Sequence, residues 1–421
     1  MFLEVKKILI IAYHFPPQSG SSGGLRSLKF SRYLPENGWL PVVLTAQPRA
    51  YERTDSSQLA EIPAQVEVIR AWGLDTRRHL SLRGRYIKWM ALPDRWMTWA
   101  LGAIPSGLLA IYRKRIDVLF TTYPVASAVL IGLILHRLTG KPWVVDFRDS
   151  MTEDDYPRDP SVHRVYRYLE RQAVRYGARL IFTARSTLQM YLDRYPGLSP
   201  SKCLVIPNGF DEEDISELQL DTPTGEAQDR VVRLLHSGLV YPDERDPIPF
   251  FRSLARLKQD GRIGETNLSV DLRACGFEDR YREVVQSLGL EGIVHFLPPI
   301  PYRESLRDAA EADALLLLQA ANCDHQIPAK AYEYLRLGKP ILALTTHSGD
   351  TAALLTEVGG ATLADLVDQE DICRTLPNFL EAVRYHHHPL PDQDRVSRFR
   401  RRFQTQQLAQ SLVEIAPSGA R

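Results

Sequence analysis

The stretch from Asp324 to Leu344 (Asp-His-Gln-Ile-Pro-Ala-Lys-Ala-Tyr-Glu-Tyr-Leu-Arg-Leu-Gly-Lys-Pro-Ile-Leu-Ala-Leu) changes its hydrophobic period part-way along, and that change narrows the architectures open to the chain. After Pro328, a residue suited to a first helical turn, Ala331, Tyr334, Leu335 and Leu337 recur at helical spacing. Gly338 offers a C-terminal stop and Pro340 forbids continuation. Ile341 to Leu344 is then a continuous apolar run, the pattern of a strand covered on both faces in a parallel sheet. A second apolar run upstream, Asp313 to Gln319, makes the whole a strand, loop, helix and strand. In open α/β sheets the carboxyl edge of the strands is where ligands bind. Lys330 and Glu333 lie three apart on one helix face near its positive end, where an ammonium, a carboxylate and free backbone N–H groups suit a phosphate and a sugar hydroxyl. The competing reading is a surface ion pair on a packing helix.

The same alternation runs along the chain. Lys7 to Ala12 reads as a buried strand, followed by a loop rich in glycine and serine, a helix marked by Leu28, Phe30, Tyr33 and Leu34, and a second strand from Leu40 to Thr45. Gly20, Gly23 and Gly24 do not form the dinucleotide fingerprint G-x-G-x-x-G. Small residues at a helix start with Arg26 nearby still suit a phosphate, against the alternative of a tight turn. Further strands read at Ile116 to Thr122, Leu180 to Ala184, Cys203 to Pro207 and Trp143 to Asp149. The last ends in Asp146, Arg148 and Asp149, charges placed for a ligand or for a structural ion pair. Asn208-Gly209 is a turn, and the acidic, proline-containing run from Asp211 to Asp229 reads as a domain boundary. Beyond it strands restart at Val231 to His236, and a loop carrying Gly238 and Arg245 follows. With 421 residues the chain exceeds one ordinary core, so two α/β domains are expected.

Composition excludes several classes. With 52 basic against 51 acidic side chains the net charge is +1, which argues against a general nucleic-acid binder. The four cysteines show no C-x-x-C spacing, so neither a zinc site nor a disulfide framework is indicated and a reducing cytosol fits. No apolar run approaches the ~20 residues of a membrane span, and the start lacks the order of a signal peptide. Thr76 to Met90 departs from the rest: Arg77, Arg78, Arg83, Arg85 and Lys88 interleave with Leu82, Tyr86, Ile87 and Trp89 and no acid. That mixture suits an anionic membrane surface at the inner face of the plasma membrane, or equally a helical insertion packed on its own domain. His386 to His388 reads as an exposed loop, because three adjacent side chains point different ways. A basic tail helix is expected from Arg395 to Leu412, with Phe399, Phe403 and Leu408 on its apolar stripe.

Taken in order, Tyr13-His-Phe-Pro-Pro17 with its glycine loop, Asp146-Phe-Arg-Asp149, Ile206-Pro-Asn-Gly-Phe-Asp211, Gly238-Leu-Val-Tyr with Arg245-Asp-Pro247, Ile327 to Tyr334 and Gly349-Asp350-Thr351 resemble the family 4-like glycosyltransferases of the two-domain GT-B fold. The resemblance covers nearly the whole chain. It implies two Rossmann-like domains facing across a cleft: 1–207 on the acceptor side, 208–390 binding the nucleotide-sugar, and 391–421 as a helix crossing back to the first. It implies sugar transfer from a nucleoside-diphosphate sugar to a glycan or lipid-linked acceptor, with retention and with neither metal nor cofactor. Arg245 and Lys330 would hold the diphosphate and act on the leaving group. Gly23, Gly24, Gly238, Glu333 and His325 would contact the donor, His325 standing where the family carries the first acid of its pair. His14, Arg26, Arg148 and Asp149 would face the acceptor, with Asp146 and Asp149 counted among the catalytic residues. The alternatives are a nucleotide-sugar epimerase of the same fold and a non-catalytic donor-binding partner protein.

Overall fold

A computed structural model of the chain describes residues 5–19, 23–83, 85–216, 218 and 231–416. Two units emerge, 1–207 together with 401–421, and 208–400. In the first, seven parallel strands run in the order β3-β2-β1-β4-β5-β6-β7. These are β1 (Lys6–Ile11), β2 (Trp39–Ala46), β3 (Glu67–Ala71), β4 (Val118–Thr122), β5 (Trp143–Phe147), β6 (Arg179–Phe182) and β7 (Cys203–Val205). Each continuous apolar run feeds two cores through the strand's period of two. Leu9, Ile11, Leu119 and Val145 enter one core, while Ile8, Ile10, Val118 and Val144 enter the other. Helices α1 (Gly23–Tyr33), α2 (Thr98–Lys114), α3 (Ala126–Thr139), α4 (Pro160–Tyr176) and α5 (Arg185–Arg194) lie between the strands in sequence. The strand order reverses between β1 and β4, which makes their carboxyl ends the natural ligand crevice of this unit.

The second unit repeats the plan with six parallel strands in the order β10-β9-β8-β11-β12-β13. They are β8 (Val232–Ser237), β9 (Leu268–Arg273), β10 (Val294–Leu297), β11 (Ala314–Leu318), β12 (Ile341–Leu344) and β13 (Ala361–Ala364). Its helices are α6 (Ile248–Gln259), α7 (Glu278–Ser287), α8 (Tyr302–Glu311), α9 (Ala329–Leu337), α10 (Asp350–Val358) and α11 (Gln369–Arg384). The joint read from sequence is present: α9 ends at Gly338, whose left-handed φ of 69° lets its N–H reach the Leu335 carbonyl, and β12 follows wholly buried. The reversal of order lies between β8 and β11, so this unit's crevice is formed by the ends of those two strands.

Two features depart from expectation. Strand β3 is a half-buried edge strand carrying Glu67 and Arg70, so it never forms an apolar run. The tail is not one helix from Arg395. A short turn, Gln393–Ser397, belongs to the second unit, and α12 (Arg401–Ile415) belongs to the first, so the helix begins ten residues later than a 391–421 segment implies. Phe399 packs on Tyr332 in the second unit with ring centres 4.9 Å apart, and Phe403 is 44% exposed. Of the expected stripe only Leu408 reaches the first unit's core, joined there by Ala409 and Leu412 beside Ile8 and Ile10. The segment 211–229 falls mostly outside the described residues, and the change of unit comes before it, at Pro207 and Asn208.

Candidate functional site

At the carboxyl end of β8, His236 is fully buried and its Nδ1 lies 2.9 Å from the Leu316 carbonyl oxygen of β11, across the switch point of the sheet. A carbonyl only accepts, so Nδ1 carries the proton and Nε2 is left as an acceptor. The Lys330 amine of α9 lies 3.1 Å from that Nε2. Gly238 borders the same amine: its φ is 119°, and a Cβ there would come within 2.9 Å of Nζ, so any side chain would drive the amine off. Arg245, on the loop after β8, is anchored by its backbone N–H to the Tyr241 carbonyl at 2.8 Å and through Nη1 to the Leu239 carbonyl at 3.4 Å.

Electrostatics couple these groups. Burial foremost, then the Arg245 charge, holds the Lys330 ammonium well below its ordinary range, with Glu333 pulling the other way. Burial and the charges of Lys330 and Arg245 likewise push His236 far down, so the ring is neutral. Glu333 accepts from the Tyr302 hydroxyl at 2.8 Å. The Tyr334 hydroxyl accepts the Ser237 N–H at 3.0 Å and so fixes the turn that carries Gly238.

His325 is half-buried beside Gln326, 3.2 Å from its side-chain nitrogen. The neighbouring Asp324 accepts from the Thr346 hydroxyl at 2.6 Å, and its carbonyl takes the Asp350 N–H at 2.8 Å. A Cβ on Gly349 would sit 2.8 Å from that carboxylate, which accounts for glycine in Gly349-Asp350-Thr351. These bonds tie the loop before α9 to the loop before α10.

The first unit's edge corrects two assignments. Arg26 and Asp146 are 1% and 0% exposed and form a bidentate pair at 3.0 and 2.9 Å. Arg26 also donates to the carbonyls of Ile206 and Pro207, each at 2.9 Å, and Asp146 takes the Thr122 hydroxyl at 3.0 Å. Neither is placed to meet an acceptor or a phosphate, because the sheet interior takes up both charges. Arg148, Asp149 and His14 are half-buried at the same edge. Arg148 donates to the Gly23 carbonyl at 2.6 Å, and burial lowers its pKa against the opposing pull of Asp149. His14 is pushed down to about 4 by burial and by the cations Arg148 and Arg95. Gly24 lies against the His14 and Phe15 backbone at ordinary contact distance, so close packing does not require a glycine there.

Sequence reasoning passed over two residues. In the sequence His236 reads only as the end of a strand, although a histidine beside Ser-Gly at a carboxyl edge is a usable signal. Glu170 of α4 is fully buried and accepts from Thr152, Tyr191, Tyr195 and Arg194, pinning the loop that follows Asp149. Its signal was a carboxylate on the helix face of Tyr166, Leu169 and Ala173. Between Thr76 and Met90 the fold is a helical turn, Thr76–His79, and a tight bend bridging Leu82 and Arg85, rather than a helical insertion. Leu82, Ile87 and Trp89 are 80, 58 and 69% exposed. Arg78 reaches the Tyr51 carbonyl and Lys88 lies 3.8 Å from Asp159. In the histidine run, His386 and His387 are exposed, whereas His388 is buried against Thr362. Among the described residues no helix is long and apolar enough to cross a membrane, and no group of three or more His, Cys, Asp or Glu side chains is set to hold a metal ion.

Residues 24–209 match the model of the glycosyl transferase 4-like domain. Comparison with curated protein sequences gives no match. Among solved structures, sucrose-phosphate synthase of Thermosynechococcus elongatus is 14% identical, with a TM-score of 0.67 over 97% of this chain and 98% of its own. HepE of Anabaena, solved with UDP and glucose, is 17% identical, with a TM-score of 0.64 over 97% and 99%. WaaG, described as a glycosyltransferase of lipopolysaccharide biosynthesis, is 14% identical, with a TM-score of 0.63 over 98% and 100%. The first unit thus carries a glycosyl transferase 4-like domain, and the chain's two parallel, doubly wound sheets have the GT-B fold of these solved structures.

Proposed function

We propose that the chain moves a sugar from a nucleoside-diphosphate sugar to a hydroxyl of a glycan or lipid-linked acceptor, with retention at the anomeric carbon and without a metal ion. The observation that carries this reading is the Lys330 amine seated over Gly238 at the switch point of the second sheet, where the charge of Arg245, from the loop after β8, acts on it. A buried amine under the influence of a second positive charge is costly unless an anion is to be met there. In transfer, the bond from the anomeric carbon to the phosphate oxygen breaks, the acceptor oxygen takes its place, and the acceptor's hydroxyl proton passes to the departing diphosphate. The diphosphate leaves with the bonding electron pair, and preorganised cations aimed at that developing charge lower the barrier. Glu333 and His325 are assigned to the donor's sugar and ribose hydroxyls. HepE, solved with UDP and glucose, supports a nucleoside diphosphate as the donor's leaving part.

On the first unit, His14, Arg148 and Asp149 are assigned to the acceptor. At neutral pH the His14 ring is uncharged and accepts or donates a hydrogen bond without carrying charge. The exposed bend at Leu82 to Trp89, flanked by arginines, fits the interface of an anionic membrane that carries the acceptor lipid.

The test is a thermal-shift screen of UDP-, GDP-, ADP- and CMP-sugars, since a ligand binding only the native state raises its melting point. At least one should stabilise the wild type, and nucleoside diphosphate should be released only when acceptor is added, which separates transfer from epimerisation. Lys330→Ala and Arg245→Ala should each lower turnover by about 10²–10³ with little change in melting point. Near-normal turnover in both variants would remove the assignment.

A further inference from the structure

We propose that His236 is a positioning residue of the donor site: a neutral imidazole, fixed as the Nδ1–H tautomer by the Leu316 carbonyl, whose Nε2 holds the Lys330 amine over Gly238 so that its remaining N–H groups face the diphosphate. The inference rests on the glycosyltransferase reading above and adds a residue to it. Three observations converge. The ring is fully buried and joins β8 to β11, so it cannot swing without breaking a bond across the switch point. Its Nε2 lies 3.1 Å from the amine. Gly238 leaves the hollow that the amine occupies, with no room for a side chain in that place.

A flexible lysine otherwise has many rotamers, and its charge is spread over the positions they reach. One fixed acceptor behind it removes that freedom before the ligand arrives, and fixed charge placement is what makes an electrostatic catalyst effective. A carboxylate in the same position would hold the amine more tightly but would cancel its charge. The imidazole holds it and leaves the charge for the ligand. Protonated, the ring would offer a donor to a donor, so the arrangement also requires it to stay neutral. The groups that face the pair favour this: Arg245 from the loop after β8 repels a proton on either partner, while Glu333 of α9 favours the ammonium. The Tyr302 hydroxyl of α8 donates to that Glu333 at 2.8 Å, and the Tyr334 hydroxyl of α9 takes the Ser237 N–H next to His236.

The experiment measures binding of UDP and GDP by calorimetry to the full chain as wild type, His236→Leu, His236→Gln, Lys330→Ala and the double variant His236→Leu/Lys330→Ala. Leucine keeps the bulk and removes the acceptor; glutamine returns an acceptor oxygen near the position of Nε2. His236→Leu should weaken the better nucleotide about 10-fold, as expected for one bond to a charged group. His236→Gln should recover most of that loss. The double variant should bind no more weakly than Lys330→Ala alone, because the imidazole acts through the amine. Wild-type affinity should fall as pH rises through the titration range of Lys330, which burial and the Arg245 charge hold well below that of an ordinary lysine. In His236→Leu the fall should begin at lower pH, since the acceptor that favours the ammonium is gone. Additive losses in the double variant, or an unmoved pH limb in His236→Leu, overturn the proposal and leave His236 as core packing. If His236→Leu does not fold, a His236→Gln protein with normal melting and a weakened, pH-shifted affinity overturns it equally. A wild type that binds neither nucleotide overturns the transferase reading itself, and this proposal with it.

Discussion

The buried pair Arg26 and Asp146 offers the sharpest separation between a catalytic and a structural role. Asp146→Asn keeps the shape of the side chain and removes its charge, leaving a guanidinium that is 1% exposed with neutral acceptors only: the new amide oxygen and the carbonyls of Ile206 and Pro207. Removing one partner of a buried pair costs about 3–5 kcal/mol because the other charge stays behind uncompensated. In a unit of this size each kcal/mol moves the melting midpoint by about 2–4 °C, so a fall of about 6–20 °C is expected. All six tryptophans of the chain lie at or before position 143, so intrinsic fluorescence reports the unfolding of the first unit without interference from the second. Replacing both partners by apolar residues, Arg26→Met with Asp146→Leu, should restore part of what the single change removes, since burial of an ion pair gains little over well-packed hydrocarbon. The reasoning is refuted if Asp146→Asn melts within a degree or two of the wild type while losing turnover by two orders of magnitude. That outcome would return Asp146 to the chemistry.

Two further predictions concern the first unit. His14 is held near 4 against 6.5 in the unfolded chain, so the folded state excludes its proton: the stabilisation is complete above pH 6.5 and is lost as pH falls towards 4, at most about 3 kcal/mol. Urea unfolding across that window should show a shallower pH slope in His14→Gln than in the wild type, and equal slopes would mean the ring is solvated. The wild type should sediment with anionic vesicles more than with neutral ones, and less so as salt is raised. A variant with Arg77, Arg78, Arg83, Arg85 and Lys88 all changed to Gln should lose the preference, each cation contributing about 1 kcal/mol at most; equal sedimentation of the two proteins would leave the bend as ordinary surface.

What could be read from the sequence follows from how parallel sheets are covered. Strands such as Ile341–Leu344 and Ala314–Leu318 are buried on both faces, so they print continuous apolar runs, and the period change at Gly338 places the helix between them. Strand β3 is an edge and prints nothing of the kind. The tail shows a limit of a different sort. Helical spacing continues from Arg395 to Leu412, but the chain passes from one unit to the other at Arg400, and a local pattern carries no information about which core receives each apolar residue. Phe399 therefore packs where Leu408 does not. In the candidate site, helical spacing singles out Lys330, loop chemistry Arg245 and the family resemblance Gly238, whereas His236 is hidden by sitting at the end of an apolar strand.

The two sheet edges also show why a charged residue at a strand end is an ambiguous signal. Asp146 and Arg26 stand at the switch region of the first sheet, as Lys330 and Arg245 do at that of the second, and sequence alone gives all four the same standing. What separates them is the charge of the partner. Arg26 is matched by a carboxylate in bidentate geometry, so its charge is cancelled inside the fold and nothing remains to attract a ligand. The Lys330 amine is matched by a neutral ring, and the Arg245 guanidinium by the Leu239 carbonyl, so each gains a fixed position while keeping its charge. Burial first, and then the charge of Arg245, depress the proton affinity of Lys330, and that depression records the cost of holding the amine there. A fold retains such a cost where an anion relieves it, which is why the second edge rather than the first is assigned to the diphosphate.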